Sequence, residues 1–232
     1  MSKSEDRAKE SCSNYALKKA SNCLDNADYG TALNYCSLAI KINPQNASAY
    51  VSRGSMHNDK ERFKRALRDL NKALSLGLNN EEVYYELGFA HLGCEEFNEA
   101  INCFSKALIM NPEHYESWYF RGCTFSAMEL FEKAISDLKL ALSLDTTDTD
   151  TRKRLNHAYL GRAYQHLDAG EYLEAIDDFT NATESKDFIA QAYEGRSIAF
   201  TNLGKIDEAK ADIAKAKFFQ EEQKHSKKNS HG

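Results

Sequence analysis

Apolar positions recur along this chain at helical spacing, in pairs of short stripes separated by polar breaks. The clearest pair lies between Tyr84 and Pro112. Tyr84, Leu87, Gly88 and His91 fall at i, i+3, i+4 and i+7, one stripe of a helix. Phe97, Ala100, Ile101, Phe104, Ala107 and Leu108 form a second stripe. The spacing predicts a turn made by Gly93 with Cys94 to Glu96, and Pro112 as the stop of the second helix. Neither stripe is stable against water, so the two helices are expected to pack antiparallel. Their backbones should come closest at the small residues Gly88, Ala100 and Ala107.

This hairpin is copied along the chain. Ala100 recurs as Ala32, Ala66 and Ala134, and Ala107 as Ala39, Ala73 and Ala141, each at a period of 34 residues. Gly88 recurs as Ala20, Gly54 and Gly122, Phe97 as Tyr29, Phe63 and Phe131, and Tyr84 as Ala16, Tyr50 and Trp118. The ladder then jumps 41 residues, to Ala163, Tyr172, Ala175 and Ala182, and returns to 34 at Ser197, Ile206, Ala209 and Ala216. The reading is six copies of one helical hairpin, at 13–46, 47–80, 81–114, 115–148, 156–189 and 190–223. Residues 149–155 are the insertion. Seven residues are close to two whole turns, about 10 Å, so a helix extension keeps the apolar stripe in phase and is preferred over an open linker. Residues 1–12 are expected to be a tail and helix extension, and 224–232 a disordered tail.

A 34-residue period with this pattern resembles the tetratricopeptide repeat family. The signature W-x2-L-G-x2-Y followed by A-x3-F-x2-A-x4-P is read best in copies three and four, where Trp118, Gly122, Phe125, Phe131, Ala134, Leu138 and Ala141 carry it. Pro44 and Pro112 sit at the family's proline; Leu78, Thr146 and Asp187 replace it elsewhere. The resemblance implies an all-α fold, a right-handed α-solenoid of six antiparallel hairpins. It also implies a protein-interaction adaptor that holds a peptide or protein segment in a concave groove. In such an array stability comes from contacts between neighbours rather than from one central core.

Composition narrows the function. Thirty basic against 35 acidic residues leave a net charge of −5, which argues against general nucleic-acid attraction. The start, MSKSEDRAKE, is charged and is no secretory signal. No 18-residue apolar run exists, so membrane insertion is not expected. The six cysteines stand at unrelated spacings, and Cys23 and Cys36 take inward positions of the first copy. Reduced thiols in the cytoplasm, with the nucleus as an alternative, fit this usage.

No chemistry-bearing constellation stands out. His57, His91 and His166 hold one inward place in three copies and are expected to be separate packed histidines. His91 and Cys94 are i, i+3, but no second ligand pair accompanies them, so no metal, cofactor or catalytic site is expected. P-loop, zincin and nucleophile-elbow motifs are missing. Base-reading helical repeats need basic and amide groups in the groove, where this chain has Glu82, Glu86 and Glu116.

The family's two-carboxylate clamp for chaperone C-termini implies Lys, Asn and Arg at five groove places. From the first copy these hold Leu17, Ser21, Ser52, Glu82 and Glu86, so a co-chaperone of that kind is the alternative reading and is disfavoured. The stripe opposite the inward one is instead Glu82, Tyr85, Glu86 and Phe89 in copy three, then Glu116, Tyr119, Phe120 and Cys123 in copy four, with Tyr164 in copy five. These aromatics either fill a narrow superhelix or form a site for a segment with apolar anchors beside Lys or Arg.

Overall fold

The computed structural model describes residues 3–184 and 186–229. Among them the secondary structure is helical throughout, in two compact units, residues 1–120 and 121–232. The first unit holds α1 (Lys3–Asp25), α2 (Tyr29–Ile42), α3 (Ala47–Asp59), α4 (Phe63–Ser75), α5 (Glu81–Gly93), α6 (Phe97–Met110) and the start of α7 (Tyr115–Ala127). The second holds the rest of α7, then α8 (Phe131–Leu144), α9 (Thr149–Ala169), α10 (Tyr172–Ala182), α11 (Ile189–Asn202) and α12 (Ile206–Asn229).

Three first helices, α3, α5 and α9, start on a polar cap. The side chains of Asn46, Asn80 and Asp148 accept from the backbone N–H groups of Ala49, Val83 and Thr151, satisfying donors that a helix start leaves open. Each first helix is followed, one or two residues on, by a residue with positive φ: Ala27, Glu61, Glu95, Glu129, Gly170 and Gly204. The next N–H in every copy then reaches back to close the turn, as from Glu96 to the carbonyl of His91 at 2.9 Å. The left-handed residue of copy three is therefore Glu95, and Gly93 is the last residue of α5. Gly93 is needed for packing instead, because a Cβ there would lie 2.4 Å from the Phe63 ring.

The alanine ladder is the inside of each hairpin. Ala32, Ala66, Ala100, Ala134 and Ala175 are fully buried, as are Ala39, Ala73, Ala107, Ala141 and Ala182. Opposite them Gly54, Gly88 and Gly122 admit the side chains of Leu70, Phe104 and Leu138. Large side chains at one level and glycine or alanine at the facing level give close packing without voids.

Residues 149–155 belong to one continuous helix, α9, and not to an open linker. α9 begins at Thr149, in step with the starts at Ala47, Glu81 and Tyr115, and it is α9's far end that is extended, to Ala169. Phe131 of α8 packs on Gly161, thirty residues on, as Phe63 packs on Gly93. The pairing of α9 with α10, in contrast, follows the 41-residue offset: Arg162 bonds Asp178 as Arg121 bonds Asp137. At Gly161, α9 thus still docks on α8 in the register of the earlier copies. Its C-terminal turns carry the next hairpin, displaced by about two turns or 10 Å along the axis. Residues 149–155 are ordinary opening turns of the helix. At the other end α12 continues to Asn229, so 224–229 are helical rather than an unstructured tail, in keeping with the run of Gln, Glu and Lys without a breaker. Residues 1, 2 and 230–232 of the expected tails lie outside the described residues.

Candidate functional site

In the first unit, α5 and the start of α7 bring seven of the predicted groove residues together. Tyr85 is the hub. Its ring lies 5.1 Å from His114, 6.1 Å from Phe120, 6.3 Å from Phe104 and 6.4 Å from Phe89. Phe89 meets Phe120 edge-on at 5.1 Å and Phe63 at 6.3 Å. Tyr119 stands edge-on to Phe120 at 4.9 Å and stacks on Tyr115 at 6.2 Å. The result is one aromatic sheet between successive first helices, half-buried at Tyr85, Phe89, Tyr119 and Phe120. Such ring pairs hold each other beyond their buried area, by about 0.5–1.5 kcal/mol each. Burial, with the nearby carboxylates Glu86, Glu116 and Asp59, pushes the Tyr85 hydroxyl well above its ordinary range.

The three acids part company. Glu82 and Glu116 are exposed, the latter with His114 Nδ1 at 3.5 Å. Glu86 is turned inward. Ser55 Oγ and Asn58 Nδ2 each donate to its carboxylate at 2.6 Å, and Asn58 Nδ2 also reaches its backbone carbonyl at 2.9 Å. Burial holds the Glu86 carboxyl above the ordinary glutamate range, outweighing the two hydrogen bonds that lower it. Glu86 is a strut from α5 to α3 rather than a charge presented to a partner. The remaining two predicted residues belong to the second unit. Cys123 is half-buried on α7; Tyr164 is 38% exposed on α9, its ring edge-on to Phe179 at 5.1 Å.

The histidines are separate, each beside a carboxylate. His91 and His166 place Nδ1 at 2.6 Å from Glu96 and Glu171, while His57 Nε2 is 3.9 Å from Asp69. Among the described residues no group of three or more His, Cys, Asp or Glu side chains is placed to hold a metal ion. Among the described residues no helix is long and apolar enough to cross a membrane.

A recurring clasp that hydrophobic periodicity does not reveal joins the helices of four hairpins. Arg53, Arg121, Arg162 and Arg196 each make two hydrogen bonds, of 2.6–2.9 Å, to Asp69, Asp137, Asp178 and Asp212. Each pair is sixteen residues apart and joins the two helices of one hairpin. An Arg followed by Asp at that spacing in four copies was the available signal. Copies one and three have Lys19 with Tyr35 and Leu87 with Cys103 at the same places.

Family models described as tetratricopeptide repeat match residues 81–114, 115–148 and 160–220, more than half of the chain. The chain belongs to the tetratricopeptide repeat family. Its helical-hairpin solenoid is shared by solved structures. One is YrrB, described as a tetratricopeptide repeat protein with an unusual peptide-binding site: 25% identity, TM-score 0.62, covering 83% of this chain and 97% of that one. MamA aligns at 21% identity and TM-score 0.62 over 78% of this chain and 94% of its own. The first tetratricopeptide repeat domain of Spaghetti (RPAP3), solved with an HSP90 peptide, aligns at 18% identity and TM-score 0.50 over 51% of this chain and 94% of that one. No curated protein sequence matches the chain.

Proposed function

We propose that this tetratricopeptide repeat protein is a non-catalytic adaptor that binds a protein segment on the face formed by α5 and α7. The observation that carries the reading is the aromatic sheet of Tyr85, Phe89, Tyr119 and Phe120 with the exposed acids Glu82 and Glu116 on the same two helices. Half-buried rings that already hold one another offer apolar area at little further entropic cost. Exposed carboxylates beside them select for Lys or Arg in the ligand and set register and on-rate. In the second unit, Cys123 and Tyr164 are proposed separately as groove residues of that unit. Glu86 is left out of direct contact, since Ser55 and Asn58 already occupy its carboxylate. The peptide-binding descriptions of YrrB and of the RPAP3 domain support the class of function. A chaperone clamp is disfavoured: its basic places are Glu82 and Glu86 here. A cytoplasmic or nuclear setting is part of the proposal, on the unrelated spacings of the six cysteines along the chain.

Affinity capture with cross-linking mass spectrometry identifies the bound segment, and a fluorescence titration of that peptide measures its affinity. Tyr119→Ala is expected to cost about 2 kcal/mol of binding. Glu82→Lys and Glu116→Lys should weaken binding, and added salt should weaken it in the wild type. Unchanged affinity in all three variants, with the helical fold intact, would move the site to the second helices or the termini.

A further inference from the structure

The hairpin of α3 and α4 departs from its sister copies at one point. In copies three and five a carboxylate at the start of the second helix, Glu96 or Glu171, takes a hydrogen bond from Nδ1 of the histidine on the first. In copy two the histidine is His57 and the matching residue is Arg62. The His57 ring keeps the pose of its counterpart, with Nε2 3.9 Å from Asp69 where His166 Nε2 is 3.8 Å from Asp178. Its Nδ1 is buried and has no hydrogen-bond partner, although the residue is only 7% exposed. Beside it Arg53, His57, Arg65, Arg68 and Asp69 line a cavity of about 280 Å³. Arg53 and Asp69 neutralise each other through their two hydrogen bonds, which leaves the exposed Arg65 and Arg68 as the uncompensated charges of the wall. No other copy has arginine at either of these two places; copies three and five have Glu99 with Asn102 and Glu174 with Asp177.

We propose that this cavity is a phosphate site, taking either inorganic phosphate or the phosphoryl group of a phosphorylated peptide. One phosphate oxygen stands where the missing carboxylate would be and accepts from His57 Nδ1. The remaining oxygens face Arg65 and Arg68, whose guanidinium forks suit an anion with several acceptor oxygens better than a lone carboxylate. The site uses α3 and α4 and is independent of the α5–α7 face.

The test follows the imidazole signals of the full-length chain by NMR during titration with sodium phosphate, against sodium chloride at equal ionic strength. A phosphoserine peptide and its unphosphorylated form are titrated alongside. A saturable shift of His57 with phosphate, and none at His91, is expected. Arg65→Gln and Arg68→Gln should each weaken it about tenfold. Arg62→Glu restores the carboxylate of the sister copies and should abolish it. All three positions are exposed, so the fold should survive. A phosphopeptide at least tenfold tighter than inorganic phosphate identifies a modified protein as the source; equal affinities identify the free ion. Equal response to chloride, no response to either phosphate form, or wild-type affinity in Arg62→Glu would overturn the proposal.

Discussion

Breaking one Arg–Asp clasp should reveal how the hairpins are held. Arg162 gives Asp178 two hydrogen bonds, of 2.6 and 2.8 Å, and the Asp178 side chain is only 5% exposed against 27% for Arg162. The two single substitutions are therefore unequal. Arg162→Leu strands a carboxylate in the hairpin. Losing one partner of a buried pair costs about 3–5 kcal/mol; partial exposure on the arginine side brings the expected loss to about 2–3 kcal/mol. Asp178→Ala leaves a guanidinium that can turn to water, and should cost about 1 kcal/mol. Arg162→Leu combined with Asp178→Cys copies the native arrangement of copy three, Leu87 with Cys103, and should fall within about 1 kcal/mol of wild type. Urea denaturation followed by circular dichroism gives the three differences. Hydrogen exchange on α9 and α10 checks that the loss is local, since repeat arrays need not unfold in one step. If the two single losses are equal, or the double variant shows their sum, the clasp is not a coupled buried pair and the ordering of the hairpin must come from the alanine ladder alone.

Two further outcomes test the packing. Glu86 is held above the ordinary glutamate range in the folded chain, so the folded state keeps its proton more tightly than the unfolded one; the contribution of Glu86 to stability is fully present below the ordinary glutamate value and is lost as pH rises through the raised folded value. Glu86→Gln should remove that decline, so its denaturation midpoint gains on wild type from acid to neutral pH; parallel curves would mean that the carboxyl is not buried as described. Gly161→Ala would bring a Cβ to 2.4 Å from the Phe131 ring and should cost about 1–2 kcal/mol despite the better helix propensity of alanine. Gly30→Ala, with nothing nearer than 3.8 Å, should be neutral or stabilising; a stabilising Gly161→Ala would show that α9 meets α8 in another register.

Periodicity alone determined the hairpins. A fully buried alanine at one place in each of the first five copies is legible in sequence, because only a small residue fits where two helix backbones touch. Periodicity likewise put Tyr85, Phe89, Tyr119 and Phe120 on a common stripe. It had no means of telling Glu86 from Glu82. Both lie on that stripe, and only the neighbouring α3, with Ser55 and Asn58, turns one inward and leaves the other in water. Gly93 was legible as special but not for its reason; the Phe63 ring from the preceding hairpin needs it, while the turn itself uses Glu95. The clasps left a signal, Arg then Asp sixteen residues apart in four copies, but that spacing has no physical meaning until a hairpin brings the two helices side by side. The seven-residue insertion is the sharpest case. Two whole turns restore the phase of an apolar stripe wherever they are added, so the pattern says that α9 is longer but not at which end. Only the docking of Phe131 on Gly161 and of Arg162 on Asp178 decides it, because those contacts, at adjacent residues, fix one face of the helix to α8 in the 34-residue register and another to α10 in the 41-residue register.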